Sequence, residues 1–316
     1  MCLKEDFAKA REVCDRIRKE VSKVIVGKEE LIENILVSFI AGGHVLLEGV
    51  PGVAKTMMAK AIASSLGCKF SRIQFTPDLL PSDITGTYIY RIQNSEFVLR
   101  KGPIFANVIL ADEINRAPPK TQSALLECMQ ERQATIEGET HRIEPPFMVI
   151  ATQNPIELEG TYPLPEAQID RFLMRLIVEY PTKREEIEIL KLWDNKGAAN
   201  NVNRVTDSKE LITMQNLAKK VHCEDRVMEY IVDLVFHTRK DPNVLLGASP
   251  RASISLLTAA KAKALINGRD YVIPDDVKSL ANHVLNHRIL LRPEAELDGL
   301  TSKDVIQAAL DSVEVR

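Results

Sequence analysis

The stretch that most constrains the fold of this chain is residues 44–56, HVLLEGVPGVAKT. It opens with a run of apolar residues that predicts a buried strand, and the residues after it, MMAKAIASSL, have the apolar spacing of an α-helix. Between strand and helix, Gly49 and Gly52 lack a Cβ, so the backbone can take positive φ and turn its N–H groups toward one anion. The positive end of the helix dipole points to the same place. The pattern therefore predicts a loop that binds phosphate.

Two side chains at the end of this loop complete the predicted site. Lys55 can reach the β- and γ-phosphates of a nucleoside triphosphate, and the hydroxyl of Thr56 can ligate Mg²⁺. At one position the sequence departs from the general pattern G-x-x-x-x-G-K-[ST], because Ala54 stands in place of the second glycine. We expect Ala54 to have helical φ and ψ, which would make the substitution mild. The residues predicted to bind the nucleotide here are Gly49, Val50, Pro51, Gly52, Val53, Ala54, Lys55, Thr56 and Met57.

Polar side chains follow two further buried strands. The strand pattern NVILADEIN ends in Asp112 and Glu113, and the strand pattern FMVIAT is followed by Gln153 and Asn154. Ligands bind at the carboxyl ends of the strands in open α/β sheets. We expect Asp112 to hold Mg²⁺ through water and Glu113 to polarise the water that attacks the γ-phosphate. The amide of Asn154 is expected to hydrogen-bond both that phosphate and the attacking water.

The order of the other patterns predicts an α/β fold followed by a helical unit. Strands near residues 45, 71, 109, 149 and 175 alternate with helices, which is typical of a five-stranded parallel sheet. Two β-hairpins, with turns at residues 93–95 and 137–139, read as insertions into this core. Beyond a polar stretch rich in glycine and asparagine, the chain has helical patterns and no strand patterns. The predicted division is a nucleotide-binding core with N-terminal helices (1–196), a linker (197–210) and an all-helical domain (211–316).

One helix start in the second domain is chemically unusual. Ser249 is a good N-cap and Pro250 a good first residue, yet Arg251 places a cation in the first turn, against the helix dipole. An anion shared by the helix end and Arg251 would turn this unfavourable interaction into a favourable one. We therefore favour contact between Arg251 and a phosphate over the alternative of an ordinary surface arginine.

Composition and charge exclude several classes of protein. The formal net charge is −3 over 316 residues, so no global basic field is present that would hold a nucleic-acid backbone. The N-terminal residues MCLKEDFAKAREV are charged and lack an apolar segment, so we expect no secretory signal. The most apolar stretch, residues 35–47, is broken by two glycines and a histidine and is too short to span a bilayer. We expect a cytoplasmic protein without membrane insertion.

The strings GVPGVAKT, ILADEIN, ATQNP, LPEAQIDRF and GASPRA together resemble the AAA+ ATPases, and within them the MoxR family. This resemblance runs from Val26 to the C-terminal helices and implies an ATP- and Mg²⁺-dependent ATPase with a five-stranded αβα core and a helical lid. It places Val26 and Gly27 against the adenine, and it implies a homo-oligomeric ring, commonly a hexamer. Arg171 would be the arginine finger that reaches the γ-phosphate held by the neighbouring subunit, and Arg251 the lid sensor.

The finger assignment also has a physical basis. Arg171 lies beyond the strands that surround the nucleotide, so it is poorly placed to reach a phosphate bound by its own subunit. A finger supplied by a second subunit typically contributes 10³–10⁵ in rate.

The resemblance implies that ATP hydrolysis remodels or matures a protein partner, often one with a von Willebrand factor A domain. A DNA-acting motor is an alternative: Arg91, Arg100 and Lys101 near the first hairpin favour it, but Glu137 and Glu139 at the tip of the second would repel phosphates. A metal-chelatase motor subunit is a further alternative. The chain could also be a nucleotide-gated binding module with negligible turnover. The presence of Glu113, Asn154 and Arg171 together argues against this alternative.

Overall fold

The computed structural model describes residues 3–50, 52–154, 160–196 and 202–315. The strands are β1 (Val45–Gly49), β2 (Phe70–Gln74), β3 (Gly86–Arg91), β4 (Glu96–Lys101), β5 (Val108–Asp112), β6 (Gln133–Ile136), β7 (Glu139–Arg142), β8 (Met148–Gln153), β9 (Met174–Val178), β10 (Val244–Leu246) and β11 (Leu290–Leu291). The helices are α1 (Leu3–Val21), α2 (Glu29–Ile40), α3 (Lys55–Ser65), α4 (Pro81–Thr85), α5 (Pro119–Glu131), α6 (Glu166–Ile169), α7 (Lys183–Lys196), α8 (Ser208–Lys219), α9 (Asp225–Lys240), α10 (Pro250–Ile266), α11 (Pro274–Leu285), α12 (Pro293–Leu297) and α13 (Ser302–Ser312).

Five strands form one parallel sheet in the order β2-β5-β8-β1-β9, which confirms the predicted α/β core. Successive residues of a strand point to opposite faces, and here the faces enter two different clusters. Val45 and Leu47 of β1 pack with α1, α2 and α3, whereas Leu46 packs with residues of α4 and α5. Because both faces are covered by helices, the strands read as continuous apolar runs instead of alternating ones.

Both predicted hairpins are present and stand apart from the main sheet. Strands β3 and β4 pair antiparallel with Tyr90 opposite Phe97, and β6 and β7 pair with Ile136 opposite Glu139. The hairpins touch one another, because the hydroxyl of Tyr88, in the middle of β3, donates to Oε2 of Glu139 at 2.5 Å. The two insertions are therefore joined although they come from separate parts of the chain.

The helices α8 to α13 form the predicted helical region, which packs on the core through α1, α2 and β9. Alanines allow close packing along α10, which is buried over most of its length. The region also contains a two-stranded antiparallel sheet, β10 and β11, where we expected helices only. Within the described residues, no helix combines the length and the apolar character that crossing a bilayer requires.

Candidate active site

The segment predicted to bind phosphate, which we call the phosphate loop, connects β1 to α3. Gly49 ends β1 beside β9, and a Cβ on it would collide with the carbonyl oxygen of Val178. Gly52 has a φ of +85° and open space around it. Each glycine is therefore required for a different reason: the first permits a close approach of two strands, and the second permits a left-handed turn. Pro51 lies outside the described residues.

The expectation for Ala54 is wrong. Ala54 has φ 60° and ψ 21°, which is left-handed, and it precedes the first helical residue, Lys55. The loop must reverse its backbone direction immediately before α3 begins, and a glycine does this without steric cost. For an alanine the left-handed conformation costs roughly 1–2 kcal/mol. The substitution in the general pattern therefore carries strain.

Lys55 folds back over the loop. Its Nζ donates to the carbonyl oxygen of Gly49 at 2.6 Å. Burial lowers the pKa of Lys55 from its usual value, and the carboxylates of Asp112, Glu113 and Glu48 oppose that shift. The ammonium group and these acids thus share one partly buried neighbourhood, in which a phosphate would add negative charge beside the cation.

Asp112 ends β5 and is nearly buried. Its Oδ1 accepts a hydrogen bond from the Thr152 hydroxyl at 2.7 Å. Its Oδ2 lies 3.5 Å from the Thr56 hydroxyl and also accepts from Nη2 of Arg72 at 2.7 Å. Carboxylate and hydroxyl oxygens suit Mg²⁺, which takes few protein ligands and keeps several waters. Asp112 and Thr56 therefore fit a magnesium ion, and Arg72 shares the same carboxylate oxygen.

Glu113 adopts a left-handed conformation, with φ 57°, directly after β5. Its backbone N–H donates to the Thr152 hydroxyl at 2.8 Å, so one threonine of β8 orients both acidic residues. Its Oε2 accepts from Nε2 of Gln74 at 2.8 Å and from Nη1 of Arg116 at 3.0 Å. Two side chains hold the carboxylate and Thr152 holds the backbone, so the direction of the Glu113 side chain is well defined.

Asn154 is buried at the end of β8, which lies between β1 and β5 in the sheet. Its carbonyl oxygen faces Nδ2 of Asn115 at 3.5 Å. Three neighbouring strands thus end in polar groups on the same edge of the sheet. The structure brings together Lys55 and Thr56 after β1, Asp112 and Glu113 after β5, and Asn154 after β8.

An apolar cavity of about 210 Å³ opens beside the phosphate loop. Val26, Gly52, Val53, Ala54 and Met57 are among its lining residues. Its size and lining suit one flat aromatic base, as expected for adenine. Gly27, which was predicted to share this role, has a φ of +67° and borders a separate and more polar crevice.

Helix α7 supplies the other wall of this cavity, through Ile189, Leu192 and Trp193. The sequence reasoning did not identify these residues. A signal was available, since the single tryptophan of the chain lies in a helix that is otherwise rich in charge.

Arg171 and Arg251 do not lie with the residues described above. Arg171 comes just before β9, and the nearby Leu173 N–H donates to the carbonyl oxygen of His44, which precedes β1. This is the amino end of the sheet. The phosphate loop lies at the carboxyl end, about 13 Å away by the rise of four strand residues.

Arg171 follows Asp170 in the chain, and Arg251 faces the Asp170 side chain. Nη1 of Arg171 donates to the carbonyl oxygen of Leu126 in α5 at 3.2 Å. Nη1 of Arg251 is 3.7 Å from Oδ2 of Asp170. The anion that Arg251 faces within this chain is therefore a carboxylate of the core.

Two family models match this chain. Residues 44–174 match the ATPase family associated with various cellular activities (AAA), and residues 237–309 match the AAA lid domain. The first match spans the sheet from the phosphate loop to β9, and the second spans most of the helical region. The fold and the site therefore define an AAA+ ATPase with a helical lid.

Proteins that are similar to this chain over nearly its whole length identify one family within the AAA+ ATPases. The uncharacterised protein YeaC of Bacillus subtilis is 49% identical over 297 residues, covering 94% of this chain and 93% of YeaC. Chaperone MoxR1 of Mycobacterium tuberculosis is 46% identical over 318 residues, covering 98% of this chain and 84% of MoxR1. The crystal structure of a protein assigned as an ATPase from Cytophaga hutchinsonii superposes with a TM-score of 0.93 at 44% identity, covering 99% of this chain and 97% of that chain. The chain belongs to the MoxR family of AAA+ ATPases.

Proposed function

We propose that this ATPase hydrolyses ATP with Mg²⁺ in a homo-oligomeric ring, commonly a hexamer, and uses the cycle to remodel or mature a protein partner in the cytoplasm. Residues 1–196 would be the ATP-binding core and residues 211–316 the lid, joined by the linker 197–210. The observation that carries the proposal is the convergence of Lys55, Asp112, Glu113 and Asn154 at the ends of three adjacent strands. A relative that is named a chaperone, MoxR1, supports the protein-directed role.

Each residue of the convergent set has a role that its position permits. Lys55 would bind the β- and γ-phosphates, while Asp112 and Thr56 would hold Mg²⁺, which neutralises charge on the phosphate oxygens. Glu113 would accept the proton of the attacking water, and Asn154 would orient that water. Gln74 and Arg116 fix one oxygen of Glu113 and so would set the direction in which its carboxylate faces the water.

The second set of residues would act on the neighbouring subunit. Arg171 and Arg251 are separated from the phosphate loop of their own chain by the length of β1, so each would complete the site of an adjacent copy. A cation supplied in this way stabilises charge on the transferring phosphoryl group. One ATP site would therefore form at each subunit interface of the ring.

The exposed hairpins support a protein as the partner. Ile92 and Phe97 at the tip of the first hairpin are 85% and 70% exposed, and the second tip carries Glu137 and Glu139. Apolar side chains in contact with solvent favour protein surfaces, whereas the acidic tip would repel a nucleic-acid backbone. A partner with a von Willebrand factor A domain remains our expectation from the family resemblance.

Phosphate release by the wild-type protein, measured with Mg²⁺ and with excess EDTA over a range of protein concentrations, tests the enzymatic part. We expect Mg²⁺-dependent turnover that rises more steeply than protein concentration while the ring assembles. Turnover that is absent at every concentration would leave only a nucleotide-gated binding module.

Affinity capture tests the partner. The Glu113→Gln variant held in ATP should retain a protein from a lysate of the source cells, and added duplex DNA should not displace it. Capture of nucleic acid that competitor DNA removes would favour a DNA-acting motor instead, and the same experiment with Lys55→Ala controls for retention that does not depend on ATP.

A further inference from the structure

Three consecutive residues of the lid bind one segment of the core. They are Asn286, His287 and Arg288, which follow α11 and which we call the lid clamp. Nδ2 of Asn286 donates to the carbonyl oxygen of Arg175 at 3.2 Å, and Nε2 of His287 contacts the carbonyl oxygen of Phe172 at 3.1 Å. The clamp thus fixes main-chain atoms of the core, whose positions do not depend on side-chain rotamers.

Arg288 makes the largest number of these contacts. Its Nε donates to Oδ1 of Asp170 at 2.7 Å, and its Nη2 donates to the carbonyl oxygens of Phe172 at 2.7 Å and of Asp170 at 3.2 Å. Its Nη1 donates to the carbonyl oxygen of Leu173 at 3.2 Å. The side chain is only 2% exposed. A buried guanidinium with its donors distributed in this way cannot be replaced geometrically by an ammonium group.

The clamped segment carries Arg171. The bonds from Arg288 reach the residue before Arg171 and the two residues after it, so the main chain is held from the lid on both sides. On the core side, the Leu173 N–H is fixed by the carbonyl oxygen of His44. The main chain around Arg171 is therefore held by a residue of the lid, while the Arg171 side chain itself donates to the carbonyl oxygen of Leu126.

One carboxylate, that of Asp170, faces two cations at this segment. Asp170 faces Arg288, which follows α11, and Arg251 of α10, and Ser255 of α10 accepts from Nη2 of Arg288 at 3.3 Å. Burial lowers the pKa of Arg288, and Asp170 opposes that shift. Removing Asp170 would leave a buried cation without its acid, so the pair keeps the lid and the segment in one arrangement.

We propose that Arg288 is a positioning residue for Arg171, so that the lid of one subunit controls ATP turnover in the next. This rests on the proposed role of Arg171 as a finger supplied to the neighbouring site. If the bonds of Arg288 had only a structural role, their loss would lower the stability of the subunit and would not change turnover in the neighbouring subunit. The experiment below distinguishes this structural role from positioning of Arg171.

The test uses Arg288→Lys, with Asp170→Asn as a second variant that keeps the size of the carboxylate. Each should reduce phosphate release at least tenfold while ATP affinity stays within about twofold, because the phosphate loop is untouched. Arg269→Lys is the matched control, since Arg269 pairs with the buried Asp276 entirely inside the lid, at 2.5 and 2.8 Å, and should keep the parent turnover.

Mixing subunits distinguishes positioning from damage. Glu113→Gln subunits have a defective site but an intact finger and clamp, so they should supply a working finger to Arg288→Lys neighbours. In an equimolar random mixture we expect turnover of about one quarter of the parent rate, the same as in a mixture with Arg171→Ala.

Three results would overturn the inference. They are parent turnover in both Arg288→Lys and Asp170→Asn, lost turnover that Glu113→Gln subunits fail to restore, and an equal loss in Arg269→Lys. Failure of the proposed function is read separately, from wild-type protein without turnover or from Arg171→Ala with parent turnover.

Discussion

At the scale of single residues, the phosphate loop contains an alanine where its geometry favours glycine. Ala54 has a φ of +60°, a region that an L-residue with a Cβ enters at a cost. The Ala54→Gly variant should therefore be more stable to unfolding by about 0.5–1 kcal/mol, after the greater flexibility of glycine in the unfolded chain is subtracted. Urea denaturation measures the difference.

The matched control is Ala61→Gly in the interior of α3, where φ is right-handed. It should be destabilised by about 1 kcal/mol, because only the loss of helix propensity and of buried surface remains. A comparable loss of stability in both variants would contradict the strain at Ala54.

Glu113 is the residue on which turnover should depend most within one subunit. Glu113→Gln keeps the shape of the side chain and removes its basicity, so phosphate release should fall by about 10²–10⁴ while ATP binding is retained. The exposed Glu127 on α5 provides the control, because Glu127→Gln should leave turnover unchanged. Hydrolysis at the parent rate in Glu113→Gln would remove this residue from the chemistry.

A residue of the candidate site could be predicted from the sequence only where its neighbours in the chain form a recognisable pattern. Lys55 and Thr56 follow from a pattern of adjacent residues, and so does the placement of Asp112 at a strand end. Arg72 and Thr152 could not be found in this way, because a polar residue inside a strand becomes informative only once the order β2-β5-β8 is known.

At the scale of elements, α7 forms part of the candidate base pocket although, apart from its one tryptophan, its sequence indicates a charged helix. Trp193 is 66% exposed and lines the cavity beside the phosphate loop. Nucleotide binding should therefore change the emission of this single tryptophan, whereas tripolyphosphate should not. Trp193→Ala should weaken ATP binding by about 2–10-fold through the loss of one aromatic contact, and Trp193→Phe should largely preserve it.

Emission that responds equally to tripolyphosphate, or ATP affinity that is unchanged in Trp193→Ala, would show that α7 does not contact the base. The fluorescence measurement requires no label, because the chain contains no other tryptophan.

A buried histidine connects two further elements and makes stability depend on pH. Nε2 of His44 contacts the carbonyl oxygen of Met129 in α5 at 3.0 Å, and its Nδ1 accepts the N–H of Val149 in β8 at 2.9 Å. Burial lowers the pKa of His44 from 6.5 to about 4. Between these values the unfolded chain binds a proton that the folded chain does not, so stability is complete above pH 6.5 and is lost as the pH falls toward 4.

Urea unfolding at pH 7.5 and pH 5.0 tests this dependence. The wild-type protein should lose about 2 kcal/mol more than His44→Gln on going to the lower pH, since each unit of pKa difference corresponds to about 1.4 kcal/mol. Equal losses in the two proteins would assign the acid sensitivity to other groups.

The predicted elements match the structure where the sequence has a regular spacing of apolar residues or a helix-capping residue. Helix α10 begins at Pro250, as the Ser-Pro start indicates, and α11 begins at Pro274. The strands β10 and β11 were missed because two or three apolar residues have no measurable alternation. Their pairing joins segments more than forty residues apart, which local patterns do not register.

At the scale of the whole molecule, the two sets of proposed catalytic groups lie at opposite ends of one sheet. If Arg171 completes the site of a neighbour, Arg171→Ala should lower turnover by 10³–10⁵ and leave ATP binding largely intact. Arg292 is a suitable control, because it is also an arginine whose side chain bonds a backbone carbonyl, that of Pro242. Normal phosphate release by Arg171→Ala would return the residue to a structural role.

The length of β1 has a consequence for the living cell. A single subunit could bind ATP but would lack the arginine of a neighbour that hydrolysis requires. At low concentration the subunits would therefore stay bound to ATP and inactive. The cellular concentration of the protein would then determine whether it is active. Hydrolysis by unassembled subunits would be prevented by the distance between the two ends of a five-residue strand.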